Sequence, residues 1–293
     1  MRLTFKITIT TLASLFIATT VYAHSLWVNS FDSFFHKPGH TMTSIGWGHV
    51  LPIDDLPNSV NGRINIDRFE LFDPALNKTA LNIPPCQVAK PTQSTANVDI
   101  YTADVAMQKI ALKENSAPGV YQIGAVSVPT FYTKYIDKKG RTRMKMKPLN
   151  EVKDVDKIIF SAKYQAFAKS FMTLAPWSQP QALGHGLEII PRTDLSNLHA
   201  GDLVEVDVLF NGKPLVGEMA AITAYSNNFG QPDGFTLSCS LKKGKGQFRV
   251  QSSGQWVIFT KHKDKVTEDG PFKDLYGKTT MVARSASLTF TVK

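Results

Sequence analysis

The chain has 293 residues, 43% of them hydrophobic and 19% charged, with a formal net charge of +9. That length suits two domains of ordinary size better than one long core, and the basic balance favours anionic surfaces. No nucleic-acid-binding motif accompanies the charge, so nucleic acid is set aside as a partner, and two cysteines without a C-x-x-C spacing exclude a redox motif.

At the start of the chain, Arg2 and Lys6 precede the apolar run "ITITTLASLFIATTV", and "VYA" supplies small residues for cleavage after Ala23. Residues 1–23 therefore read as a signal peptide. The run is shorter than the roughly 20 residues of a spanning helix, and no later stretch approaches that length. The expectation is a mature chain in the periplasm, without a transmembrane segment. No cysteine follows the cleavage site to carry a lipid. Losing Arg2 and Lys6 lowers the net charge to +7 over the remaining 270 residues.

The first half carries strand-like runs at "TMTSIGWGHV", "RFELFD", "NVDIYTADV" and "GVYQIGAVSV", punctuated by the turns "HKPG" and "APG". "KYIDKKGRTRMKM" reads as a basic hairpin or loop. Residues 152–171 break the pattern: Val152, Val155, Ile159, Ala162 and Ala166 recur at helical spacing with Asn150 as a cap, which predicts one amphipathic helix packed on the first domain.

"LGHGLEIIPRTD", residues 183–194, marks the boundary between the domains. Beyond it period-two alternation dominates. In "LVEVDVLF" the side chains of Val204, Val206, Val208 and Phe210 share one face, with Glu205 and Asp207 on the other. "MAAITAY", "FTLSCSL", "GQFRV", "QWVIFTKH" and "ASLTFTV" continue the series between turn residues. The predicted fold is all-β: two β-sandwich domains, 24–182 and 183–293, with the helix of 152–171 inserted in the first. Cys86 and Cys239 fall in different domains, so a bridge between them would cross an interface; pairing and two free thiols both stay open.

After cleavage, His24 is the first residue. Its free α-amine and its imidazole together close a chelate ring around a metal, which no internal histidine can do. The α-amine has an ordinary pKa near 8, so displacing its proton costs little at neutral pH. One more imidazole gives a three-nitrogen site suited to copper, nickel or cobalt. His49 in "GWGHVLP" is the first choice, with Gly46 and Gly48 to bend the backbone and Trp47 to exclude water. His185 in "GHGLEI" lies at the domain boundary, and His262 in "FTKHKD" ends a strand of the second domain. His36, His40 and His199 read as exposed turn and loop residues.

"AHSLWV", "KPGHTMTSIGWGH", "PGVYQIGA", "GLEIIPRTD", "HAGDLVEVDVLFNGKPLVG", "GQWVIFTKH" and "ASLTFTV", in that order, resemble the bacterial exported family called domain of unknown function 4198. That family is often labelled a periplasmic component of cobalt or nickel uptake. The resemblance covers nearly all of the mature chain. It implies an N-terminal β domain, an immunoglobulin-like or transthyretin-like sandwich after it, and a place beside a membrane metal transporter. His24, Gly48 and His49 match the family pattern. His40 stands where an acidic residue commonly follows "PG", and other residues often stand at His185.

Two readings compete with metal handling. No G-x-S-x-G, P-loop, H-E-x-x-H or dinucleotide fingerprint is present, so an enzyme finds little support beyond a copper-dependent oxidase built on His24. A non-enzymatic scaffold or adhesion module, docking on anionic envelope surfaces through "KKGRTRMKMK" and "KKGKG", is the other.

Overall fold

The computed structural model describes residues 24–60, 62–230 and 236–293; the expected signal peptide lies outside them. In chain order the strands of the first half are β1 (Ser25–Ser33), β2 (His40–Gly48), β3 (Ile66–Phe72), β4 (Lys78–Ala80), β5 (Gln93–Ser94), β6 (Asp99–Ile100), β7 (Gln108–Ala111), β8 (Gly119–Ser127), β9 (Thr130–Asp137), β10 (Thr142–Lys145) and β11 (Val155–Leu174). The second half adds β12 (Leu187–Pro191), β13 (Leu203–Phe210), β14 (Lys213–Pro214), β15 (Ala221–Ser226), β16 (Leu237–Ser240), β17 (Lys245–Arg249), β18 (Gly254–Lys265) and β19 (Met281–Val292). Among the described residues the only helical segments are two single 3₁₀ turns, at Leu149–Glu151 and Lys273–Leu275. The all-β expectation holds, and the predicted helix does not.

Residues 152–171 fall mostly within β11, a strand of 20 residues. Two register shifts against β9, between Val155 and Lys157 and between Ile158 and Phe160, interrupt the alternation. Each extra residue changes the phase of the apolar positions, which is how Val155, Ile159 and Ala162 come to mimic helical spacing. Further on, Ala166–Met172 is buried on both faces, so no alternation is left to read there. Tertiary pairing decides the outcome: β11 has β9 and β8 antiparallel along one edge and β19 parallel along the other.

That parallel pair joins the two halves of the chain in one ten-stranded sheet, ordered β16-β15-β18-β19-β11-β8-β3-β4 with β9 on β11 and β10 on β9. Smaller sheets cover both of its faces. Strand parity shows this directly, since alternate residues point to opposite sides. Val120, Val126, Phe167 and Phe171 pack with Leu187, Ile189, Val204, Val206 and Val208 of the sheet built from β12, β13, β14 and β17. Ile123, Ala125, Ala166 and Ala168, of the opposite parity, pack with Leu26, Val28, Ile45 and Trp47 of the β1-β2-β7 sheet. A third cluster joins Trp27 and Leu51 to Tyr225, Val257 and Phe259. Burying each of these large side chains contributes about 2 kcal/mol. The expected boundary at residue 183 thus marks the passage from the middle sheet to an outer one, while hydrogen bonding runs on across it.

Lys169 of β11 points towards β12, where its Nζ lies 2.7 Å from Glu188 Oε1 with both side chains almost fully buried. Leu183 N–H donates to the same carboxylate oxygen at 2.7 Å. Removing one member of such a pair strands a buried charge, so the pair ties the middle sheet to its outer layer. Cys86 and Cys239 are unpaired thiols.

Candidate functional site

The register of the first hairpin creates the site. Ser25 pairs with Gly48 and Leu26 with Trp47, so His24 and His49, one residue further out on each strand, emerge side by side at the end of the sheet. Their ring centroids are 4.5 Å apart, tilted at 43°. The His24 ring also stacks on Trp47 at 5.3 Å. Trp47 is fixed in turn by donating its indole N–H to Gly62 O at 2.7 Å. Of the four histidines expected to take part, the fold brings these two together.

Beyond Gly48 the chain makes a short loop and returns, Asp55 N–H donating to Trp47 O at 2.9 Å. The return places a carboxylate behind each imidazole. Asp55 Oδ2 is 3.3 Å from His24 Nε2. Asp54 Oδ2 is 3.3 Å from His49 Nδ1 and accepts the His49 backbone N–H at 2.7 Å. Gly48 makes this approach possible: its φ of 129° is left-handed, and a side chain there would collide with the Asp54 carboxylate. A neutral imidazole that donates from one nitrogen keeps its lone pair on the other. Donation to the carboxylates therefore leaves the lone pairs on His24 Nδ1 and His49 Nε2.

The loop is anchored from several sides. Pro52 O accepts from Trp27 Nε1 and from Asn29 Nδ2, each at 2.9 Å, and Asn29 Oδ1 accepts from Gln255 Nε2 of β18 at 3.1 Å. Tyr225 of β15 donates its hydroxyl to His49 O at 2.9 Å. Strands of both halves thus hold the His49 backbone. The four polar side chains remain between 23% and 33% exposed, within reach of solvent and solutes. Partial burial, and then the neighbouring His49, hold the His24 pKa below its ordinary value against the pull of Asp55. The shift favours the neutral ring.

His185 and His262 lie on the other side of the middle sheet. His185 stacks on Phe167 at 5.5 Å, is 4% exposed, and burial pushes its pKa down to about 4. His262 is paired with Asp264 at 3.0 Å and rests on the Phe210 ring at 4.2 Å. Phe167 and Phe210 both belong to or pack against the core beneath the β12-β13 sheet, so neither histidine is brought to His24. Asp54 and Asp55 were not among the sequence candidates. Their signal is the acidic pair of "PIDDLP", five and six residues after His49.

Among the described residues, no group of three or more His, Cys, Asp or Glu side chains is placed to hold a metal ion. The carboxylates sit behind the imidazoles, so a three-donor site here needs a main-chain donor. The family model described as Domain of unknown function (DUF4198) matches residues 21–264. No curated protein matches the chain.

Proposed function

Starting from a chain that belongs to the domain of unknown function 4198 family, whose description assigns no activity, we propose a periplasmic protein that binds a transition metal at its processed N-terminus. The donors are the α-amine and Nδ1 of His24 and Nε2 of His49. The observation that carries this reading is the convergence of two histidines 25 positions apart, each with a carboxylate on one ring nitrogen. Carboxylates in that position orient a ligating imidazole and raise its basicity. The lowered His24 pKa favours the neutral imidazole, the form that coordinates. The two rings lie at a tilt of 43° with their edges partly exposed to solvent.

Nitrogen donors of this kind suit copper, nickel and cobalt, with copper held most tightly. A metal held there would supply a Lewis-acidic centre. An accessory role in nickel, cobalt or copper handling beside a membrane metal transporter fits such a site, reachable from solvent and fastened to both halves of the fold. Titration of the processed protein with copper, nickel and cobalt tests the reading. Stoichiometric uptake is expected, lost in His24→Ala and in His49→Ala and retained in His262→Ala. Uptake that survives both of the first two substitutions contradicts it.

A further inference from the structure

The positive charge of the chain is gathered in one place. Residues 134–157 hold seven lysines and two arginines against four acidic residues, a net +5 out of the +7 left after removal of the leader. They form an arm of the middle sheet, in which β10 pairs only with β9, and β9 pairs in turn with the first half of β11. Arg141 and Arg143 pair with Asp137, at 2.9 and 3.2 Å, and stiffen the hairpin while staying exposed. Lys138 and Lys139 at the hairpin turn and Lys157 of β11 are exposed as well.

The two faces of the arm differ. On one, Thr133 and Ser161 are buried, hydrogen-bonded to each other at 3.0 Å, to Lys147 O and to Thr279. The other face is open. Residues directly opposite one another across paired strands share a face, which puts Met144, Lys134 and Phe160 in one row and Thr142, Ile136 and Lys157 in the next. Met144 is 52% exposed and Ile159, at the bulge, is 45% exposed. Apolar side chains set between lysines on a solvent-facing sheet match a surface that is anionic at its plane and apolar just below it. A soluble acidic polymer offers only the charge.

We propose that this arm docks the protein onto an anionic phospholipid surface, with the lysines on the head groups and Met144 entering the interface. The inference is independent of the metal site, and the test is run with a chelator present throughout. Processed protein is floated with phosphatidylcholine vesicles that contain or lack phosphatidylglycerol. Capture by the anionic vesicles alone is expected, falling at about 1 M salt, where the screening length is roughly 3 Å. Replacing Lys138, Lys139 and Lys157 with Glu lowers partitioning about fivefold or more per lysine. Met144→Ser reduces capture at unchanged charge. The variants keep the wild-type melting temperature, since the substituted side chains are exposed. Equal capture by uncharged vesicles, capture indifferent to salt, undiminished capture of the lysine variant or of Met144→Ser, or binding to soluble polygalacturonate without binding to vesicles would each overturn the proposal.

Discussion

Asp55 and Asp54 each accept from one ring nitrogen of His24 and His49, and in the proposed site this fixes which lone pair would be offered to a metal. Asp55→Asn and Asp54→Asn should weaken metal binding by about 10- to 100-fold without abolishing it, a loss that competition titration against a chelator of known strength resolves. Complete loss in either variant would make that carboxylate a direct ligand. The histidines were legible in the sequence because their chemistry is local, a free amine beside an imidazole and a Gly-His at a strand end. The aspartates were not. "PIDDLP" reads as an ordinary polar loop, and only its return to Trp47, over a glycine that leaves space for Asp54, puts the pair at the site. His185 and His262 were equally plausible by residue type; the loop that leads into β12 and strand parity in β18 put them on the far side of the middle sheet.

Strands whose outer face meets solvent announce themselves by alternation, and "LVEVDVLF" forms β13 over the residues expected. "KYIDKKGRTRMKM" contains most of the β9-β10 hairpin, as its basic turn suggests. β11 fails the same test for a physical reason. It is a central strand with bulges near one end and two buried faces beyond them, so neither period survives in its sequence. "NVDIYTADV" errs the other way, keeping only Asp99–Ile100 as strand, in an exposed ribbon with β5. The first hairpin bears directly on the site, and its packing hinges on Gly46, which faces Trp27 across the pair. The Trp27 indole lies where a side chain at 46 would be. Gly46→Ala should therefore destabilise the fold by about 3 kcal/mol through overpacking, measured by urea unfolding; a loss below about 0.5 kcal/mol would show that Trp27 moves aside at little cost.

At the scale of the molecule, the layered all-β character follows from many short amphipathic strands, each of which must bury one face. The continuous middle sheet was not legible, because the pairing of β11 with β19 joins segments more than a hundred residues apart and leaves no local trace. That continuity matters for the site: His24 starts the outer sheet, while Tyr225 and Gln255 reach it from the second half. Among the described residues no helix is long and apolar enough to cross a membrane, and the basic arm is the proposed means of meeting one.

The metal reading rests on a nitrogen that exists only once the bond before His24 has been cut. The most direct measurement compares copper affinity and the nitrogen couplings in the copper(II) electron paramagnetic resonance spectrum for two proteins that begin at His24, one with a free α-amine and the other acetylated there. The account predicts a three-nitrogen signal and tight binding in the first, and the loss of one nitrogen with affinity weakened by orders of magnitude in the second. Equal affinity and identical spectra from the two would contradict it.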